Sequence, residues 1–309
     1  MTARRVAAID CGTNTIRLLI ADVDPDARTA TDVDRRQEIV RLGQGVDRTG
    51  RFDPAALRRT LAVTRDYAER ITELGVSRVR MVATSATRDA ANRSELIDGV
   101  QGLLGVEPEV ITGDEEASLS YIGATGGLPA DVRPPYLVVD IGGGSTEFVL
   151  GDGDVTAARS VDIGSVRLTE RHFADDPPTA AQIARAASDI DAALDTVAAT
   201  VELTLAGSVV AVAGTATTIG AIHAGLETYD PDVVHHCRVP PRAAAEISER
   251  LLTSTHQERA GITVIHPGRL DVIGAGSLIL RCIVERTGAA EVVISEHDIL
   301  DGIARSLVT

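Results

Sequence analysis

The sequence predicts an α/β protein built twice, as two halves each made of a sheet and its helices. Three observations point to this. Near the start, Val6 to Ile20 reads as an apolar run, Asp10, a turn of Gly and small polar residues, and a second apolar run. The same order returns from Tyr136 to Leu150, with Asp140 at the end of its first run. In both halves strand-length apolar runs alternate with helix-length periodic segments, the pattern of α/β architecture. A length of 309 residues is enough for two domains, each with its own core.

Taken in order, the first hairpin covers about Val6–Val23, and Ile39–Gln44 reads as a third strand. Asp53-Pro54 opens a helix, Leu57, Leu61, Thr64, Ala68, Ile71 and Leu74 recur at helical spacing, and Gly75 ends it. Val79–Ala83 is a buried strand that emerges at Thr84-Ser85-Ala86-Thr87-Arg88. Ser94 caps a helix through Leu104, Val110–Thr112 is a short strand, and Asp114 caps a helix carrying Glu115 and Glu116. Gly126-Gly127 and the run from Pro129 to Pro135 mark the boundary, which sets the domains at 1–126 and 127–309. The second hairpin then opens a strand meander through the Gly151-Asp152-Gly153 turn. An Ala-rich helix runs to about Glu202, and Val209–Ala213 is a strand that turns into a helix at Gly214-Thr215. Helices at about Arg242–Thr253 and Arg269–Glu285, a strand at Glu291–Ile294 and a helix at Ile299–Leu307 complete the second half.

Composition narrows the function. The net charge is −15, which argues against nucleic acid as a partner. All 30 basic residues are Arg, so a Walker-type Gly-Lys-Ser/Thr loop is excluded. No apolar run approaches the roughly 20 residues of a membrane span, and the N-terminus lacks a signal-peptide pattern, so the expectation is a cytoplasmic protein with no membrane partner. Cys11, Cys237 and Cys282 form no C-x-x-C pair and read as small hydrophobic fillers. His235-His236-Cys237 has no fourth ligand at metal spacing and reads as a loop.

The two turns carry the chemistry. Gly12, Thr13, Asn14 and Thr15, and Gly142, Gly143, Gly144, Ser145 and Thr146, allow backbone N–H groups and hydroxyls to converge on an oxyanion. Asp10 and Asp140 end the strands that feed these turns, where a carboxylate can place Mg²⁺ (or Mn²⁺) against phosphate oxygens. Arg17 and Arg88 suit bidentate phosphate contacts, with a structural ion pair as the rival reading of Arg17. Arg93 is a weaker candidate at a helix start. Spacing alone assigns Glu115 and Glu116 to the favourable charge of a helix N-terminus.

Together these segments resemble the exopolyphosphatase and guanosine-pentaphosphatase (Ppx/GppA) family of the actin-like, ribonuclease H-like superfamily. The resemblance runs from the Asp10–Leu18 turn through Thr84–Arg88, Gly113-Asp-Glu-Glu-Ala, Asp140–Glu147, Ile163–Leu168 and Gly214-Thr215-Ala216 to Arg269–Gly276. It implies duplicated actin-like domains with the active site in the cleft between them. It also implies that Glu116 orients the attacking water, with Glu147 second and Glu115 open because the two glutamates are adjacent. Asp140 takes the stronger claim on metal, and Gly164, Ser165, Gly214 and Thr215 line the cleft from the second domain.

The implied activity is Mg²⁺-dependent release of terminal phosphate from inorganic polyphosphate, with guanosine pentaphosphate hydrolysis as the alternative. A phosphotransferase and a non-catalytic sensor of polyphosphate or (p)ppGpp are further alternatives, and relatives suggest a homodimer. Longer members carry a C-terminal helical region with no counterpart in these 309 residues. A preference for short polyphosphate is therefore expected. Turnover on polyphosphates of graded length checks it, and faster hydrolysis of long chains would refute it.

Overall fold

The computed structural model describes residues 3–24 and 29–308. The chain divides into two compact units, one comprising the chain through Gly123 together with the segment from Ile299 onward, the other Ala124–Asp298.

The first unit contains strands β1 (Arg4–Cys11), β2 (Thr15–Asp24) and β3 (Thr29–Ile39), then helices α1 (Val46–Thr49) and α2 (Pro54–Glu73). They are followed by β4 (Arg78–Ala83), α3 (Ser85–Asp89), α4 (Arg93–Leu104), β5 (Glu109–Val110) and α5 (Gly113–Thr125). The sheet order is β3-β2-β1-β4-β5. The first three strands are antiparallel, and β4 and β5 join in parallel. Both faces are covered, which explains the unbroken apolar run of β1. Ala7, Ile9, Leu18 and Ile20 pack with Leu57, Tyr67, Leu96 and Val100. Val6, Ala8, Leu19 and Ala21 pack on the opposite face with Leu119, Ile299, Leu300, Ile303 and Ala304.

The second unit repeats the plan. It contains β6 (Tyr136–Ile141), β7 (Thr146–Asp152), β8 (Asp154–Val161), α6 (Ser165–His172), α7 (Ala180–Ala198), β9 (Ser208–Val212) and α8 (Ala213–His223). Then come α9 (Pro231–Val234), β10 (Arg238–Val239), α10 (Pro241–Thr253), α11 (His256–Ala260), α12 (Ile273–Thr287) and β11 (Val292–Ile294), and the chain returns to the first unit as α13 (Ile299–Ser306). Its order is β10-β11-β9-β6-β7-β8, so an antiparallel meander is again continued by parallel strands. Leu137, Val139, Ile141 and Phe148 meet Ile190, Leu194 and Val197 of α7 and Leu278 and Ile279 of α12 in one core. The same α/β plan is thus built twice along the chain. No helix among the described residues is long and apolar enough to cross a membrane.

Several elements differ from the sequence reading. The third strand is Thr29–Ile39, and residues 40–45 form a loop. As an edge strand β3 carries charge in place of apolar residues, and it is held by Arg35–Asp32, Arg36–Asp34, Arg70–Asp34 and Arg35–Asp301 ion pairs. The final helix, assigned by sequence to 127–309, belongs to the first unit because its apolar face covers β1 and β2. The helix expected from Arg269 begins at Ile273, after a 3₁₀ turn at Pro267–Arg269. Ser94 is not the cap of α4, which starts at Arg93 after Asn92; the Asn92 amide oxygen instead accepts from Phe52 N–H at 2.8 Å. α6 escaped the sequence reading because it is short and opens on Gly164-Ser165.

Leu137 is fully buried in β6. Leu137→Ala is expected to lower unfolding free energy by roughly 2–5 kcal/mol, measured by urea titration with far-UV circular dichroism. A loss well below that range would mean the second core relaxes around the cavity.

Candidate functional site

In the first unit the β1–β2 ladder ends at the Cys11–Ile16 pair, and Gly12 N–H closes the turn on Thr15 O at 2.9 Å. The loop carbonyls face the 40–43 segment. Asn14 O accepts from Val40 N–H at 3.0 Å and Arg41 N–H at 2.9 Å, and Thr13 O accepts from Gly43 N–H at 2.8 Å. The N–H groups of Thr13 and Asn14 donate to no group among the described residues. The Thr13 and Ser85 hydroxyls are 2.9 Å apart, which ties the start of α3 to the turn. Arg41 holds φ 51, a strained value for a residue with a side chain.

The second unit uses the same turn and register. The ladder ends at Ile141–Thr146, and Gly142 N–H reaches Ser145 O at 3.0 Å. Here α6 satisfies the carbonyls. Ser165 N–H donates to Gly142 O at 3.0 Å, Val166 and Arg167 N–H to Gly143 O at 2.9 and 3.1 Å, and Arg167 Nε to Gly144 O at 2.7 Å. A Cβ on Gly164 would lie 2.4 Å from Gly143 O, so this approach requires glycine. Gly164 and Ser165 thus brace the turn from its carbonyl side. The N–H groups of Gly143 and Gly144 donate to no group among the described residues. Successive outward N–H groups at such a turn form an anion nest.

Beside this turn β9 runs parallel to β6, with Asp140 in register with Val212, and α8 starts abruptly at Ala213 with φ 65. Gly214 and Thr215 occupy its first turn. The Arg269 guanidinium lies on Gly214, since a Cβ there would be 2.3 Å from Arg269 Cζ. Arg269 is the cationic group at this turn that the sequence reading did not single out. Its signal was its place at the head of the last family-like segment, far along the chain from Gly214.

The carboxylates differ between units. Asp10 sits opposite Arg17 in the β1–β2 ladder, and its Oδ2 accepts from Arg17 Nη2 at 2.7 Å and Nε at 3.1 Å. Arg17 is therefore an ion-pair partner of Asp10, the rival role in the sequence reading. At the equivalent ladder position Asp140 sits opposite Glu147, and both are buried. Glu147 Oε1 accepts from the Ser160 hydroxyl at 2.7 Å. Directly opposed like charges destabilise a ladder, and a divalent cation offsets that repulsion. The pair therefore fits a hard ion such as Mg²⁺ as an oxygen-donor set. Among the described residues no group of three or more His, Cys, Asp or Glu is placed to hold a metal. Mg²⁺ commonly uses only one or two carboxylates when phosphate oxygens complete its shell.

Helix α5 separates its two candidate glutamates. Glu116 is buried, and its Oε2 accepts from Arg88 Nη1 at 2.8 Å, while the same Nη1 donates to Ile111 O at 2.9 Å. Glu115 is exposed and takes Arg80 Nη2 at 2.7 Å, and Arg80 also binds Glu109. Asp114 is not the cap of this helix; the Thr112 hydroxyl accepts from Glu115 N–H at 3.2 Å. Arg93 is exposed at the start of α4. Burial, with Asp10 adding repulsion, holds the Cys11 thiol far above the ordinary range, and burial pushes Cys282 up to about 11. The His235 ring lies tilted against those of His236 and His297 at centroid distances of 3.6 and 4.5 Å, and its Nδ1 accepts from Glu296 N–H at 3.2 Å.

Comparison with known proteins sets this geometry among relatives. The model of the Ppx/GppA phosphatase family matches residues 19–308. Exopolyphosphatase 2 of Mycobacterium tuberculosis is 48% identical over 318 aligned positions, covering 99% of both chains. The crystal structure of an exopolyphosphatase-like protein superposes with a TM-score of 0.93 at 44% identity, over 98% of this chain and 99% of that one. The Aquifex aeolicus member of the Ppx/GppA family superposes with a TM-score of 0.81 at 30% identity, over 99% and 97%.

The Asp10–Arg17 pair has side-chain exposures of only 6% and 14%. Arg17→Ala, which removes this cation from the Asp10 carboxylate, is expected to cost about 3 kcal/mol in urea unfolding. Adding Asp10→Asn should recover most of that loss. Equal losses in the single and double variants would show that the ion pair is not what the substitution breaks.

Proposed function

The chain belongs to the Ppx/GppA phosphatase family, and on that premise we propose that it is an exopolyphosphatase, releasing terminal phosphate from inorganic polyphosphate. The observation that carries the reading is the pair of matched turns, each with its carbonyls engaged and two of its N–H groups donating to no group among the described residues. Such turns suit phosphate oxygens, and no base or sugar is needed for the contact. The scarcity of aromatic side chains, 2% of the sequence with no Trp, favours polyphosphate over a nucleotide.

Hydrolysis needs a water held in line with the terminal phosphorus. Glu116 accepts a hydrogen bond from that water, and the Arg88 hydrogen bond orients its carboxylate. As the water oxygen bonds to phosphorus, a water proton passes to Glu116. The bridging P–O bond breaks with its electron pair on the shortened polyphosphate anion, and orthophosphate leaves as Glu116 returns its proton to solvent. In the first unit the N–H groups of Thr13 and Asn14 would serve phosphate oxygens; in the second those of Gly143 and Gly144 would, with Arg269 a cation beside Gly214. Asp140 and Glu147 would hold Mg²⁺, which supplies charge neutralisation to the phosphate oxygens.

Phosphate release from short polyphosphate and from guanosine pentaphosphate, each with Mg²⁺ at matched salt, tests the reading. The polyphosphate reaction should lead, vanish with EDTA, and fall by about 10²- to 10⁴-fold in Glu116→Gln. Release mainly from the nucleotide would make the protein a guanosine pentaphosphate phosphohydrolase. Binding of either compound without turnover would make it a sensor.

A further inference from the structure

Helix α5 does not set its own position. The C-terminal helix α13 lies against it, backbone to backbone: a Cβ on Gly302 would be 2.0 Å from Leu119 O and 2.7 Å from the Leu119 carbonyl carbon. Two arginines add to the contact. Arg305 Nη1 donates to Ile122 O at 2.9 Å. Arg80 donates through Nη1 to the Ser306 hydroxyl at 2.9 Å and through Nη2 to Glu115 at 2.7 Å, joining the end of α13 to the first turn of α5. Leu119 packs with Ile299, Leu300, Ile303 and Ala304 of α13 in the core beneath the sheet.

Leu119 lies one helical turn beyond Glu116, so a displacement at one is a displacement at the other. Arg88 sits on a different helix and is anchored separately to Ile111 O. The 2.8 Å Glu116–Arg88 contact therefore depends on where α13 stops α5. From this geometry we infer that Gly302 is a positioning residue for Glu116. The absence of a side chain at 302 sets the depth of the helix that carries the base. This rests on the reading of Glu116 as the group that orients water. Gly302 lies within regular helix, where alanine is intrinsically favoured over glycine by about 1 kcal/mol, so any harm from Gly302→Ala comes from the contact. The clash involves carbonyl atoms and is not relieved by a rotamer change; one of the helices must move by about 1 Å, a displacement that costs on the order of 100-fold in rate when it falls on a reacting group.

The test is a double-variant cycle on turnover of short polyphosphate with Mg²⁺. Gly302→Ala is expected to lower kcat by about 10- to 100-fold with KM within about threefold. In a Glu116→Gln background the same change should alter the residual rate by less than about twofold, because the group it misplaces is already gone. An equal loss in both backgrounds, or unchanged kcat in Gly302→Ala, overturns the inference and leaves the base assignment standing. Wild-type turnover in Glu116→Gln alone removes the base assignment and this inference with it. Should Gly302→Ala fail to fold, the cycle runs with Arg305→Gln, which releases Ile122 O without crowding. A smaller loss of kcat that again disappears with Glu116→Gln supports the inference, and an additive one overturns it.

Discussion

At the two hairpin turns the carbonyls are engaged by neighbouring segments, while the N–H groups of Thr13, Asn14, Gly143 and Gly144 donate to no group among the described residues. A peptide turn brings donors and acceptors together in equal number, so an anion meets repulsion unless the acceptors are turned away. The first unit does this with the loop segment 40–43, and the second with the opening turn of α6 and the Arg167 side chain. Two unrelated pieces of chain thus meet one electrostatic requirement. Much else follows from it: the strained Arg41, the side-chain-free Gly164 and the burial of Arg167 all serve segments that must lie directly behind a turn.

The repeat is close in backbone and divergent in charge. At the same ladder position β2 offers Arg17 to Asp10, whereas β7 offers Glu147 to Asp140. The first aspartate is answered by a cation from the protein itself. The second faces a further carboxylate, Glu147, which accepts from the Ser160 hydroxyl. The two hairpins share a scaffold, and the single residue opposite the aspartate, Arg17 in one and Glu147 in the other, separates an ion pair from a pair of carboxylates.

The architecture was largely legible in the sequence, and the reasons are local. Both hairpins announce themselves through an aspartate, a Gly turn and flanking apolar runs, and α2 through the Asp53-Pro54 start, which the Asp53 carboxylate caps at Ala55 and Ala56 N–H. β3 was misplaced because an edge strand stabilised by ion pairs within itself and to α2 and α13 carries no apolar alternation to read. The turn residues of the candidate site were legible for the same reason as the hairpins. Others were not: Glu115 and Glu116 are adjacent and chemically identical, and only their partners, Arg80 and Arg88, distinguish them. Arg269 was hidden because its neighbour Gly214 is close in space and distant in sequence, which no spacing rule conveys.

The membership of α13 in the first unit has a consequence for synthesis. The core beneath β1 and β2 needs Ile299, Leu300, Ile303 and Ala304, which leave the ribosome after the whole second unit has been made. The second unit is a continuous stretch of chain and can close as soon as β11 emerges. The first must wait, with the apolar residues Val6, Ala8, Leu19 and Ala21 of its sheet uncovered, which is the state in which nascent chains most need chaperones. The half made first is the half finished last.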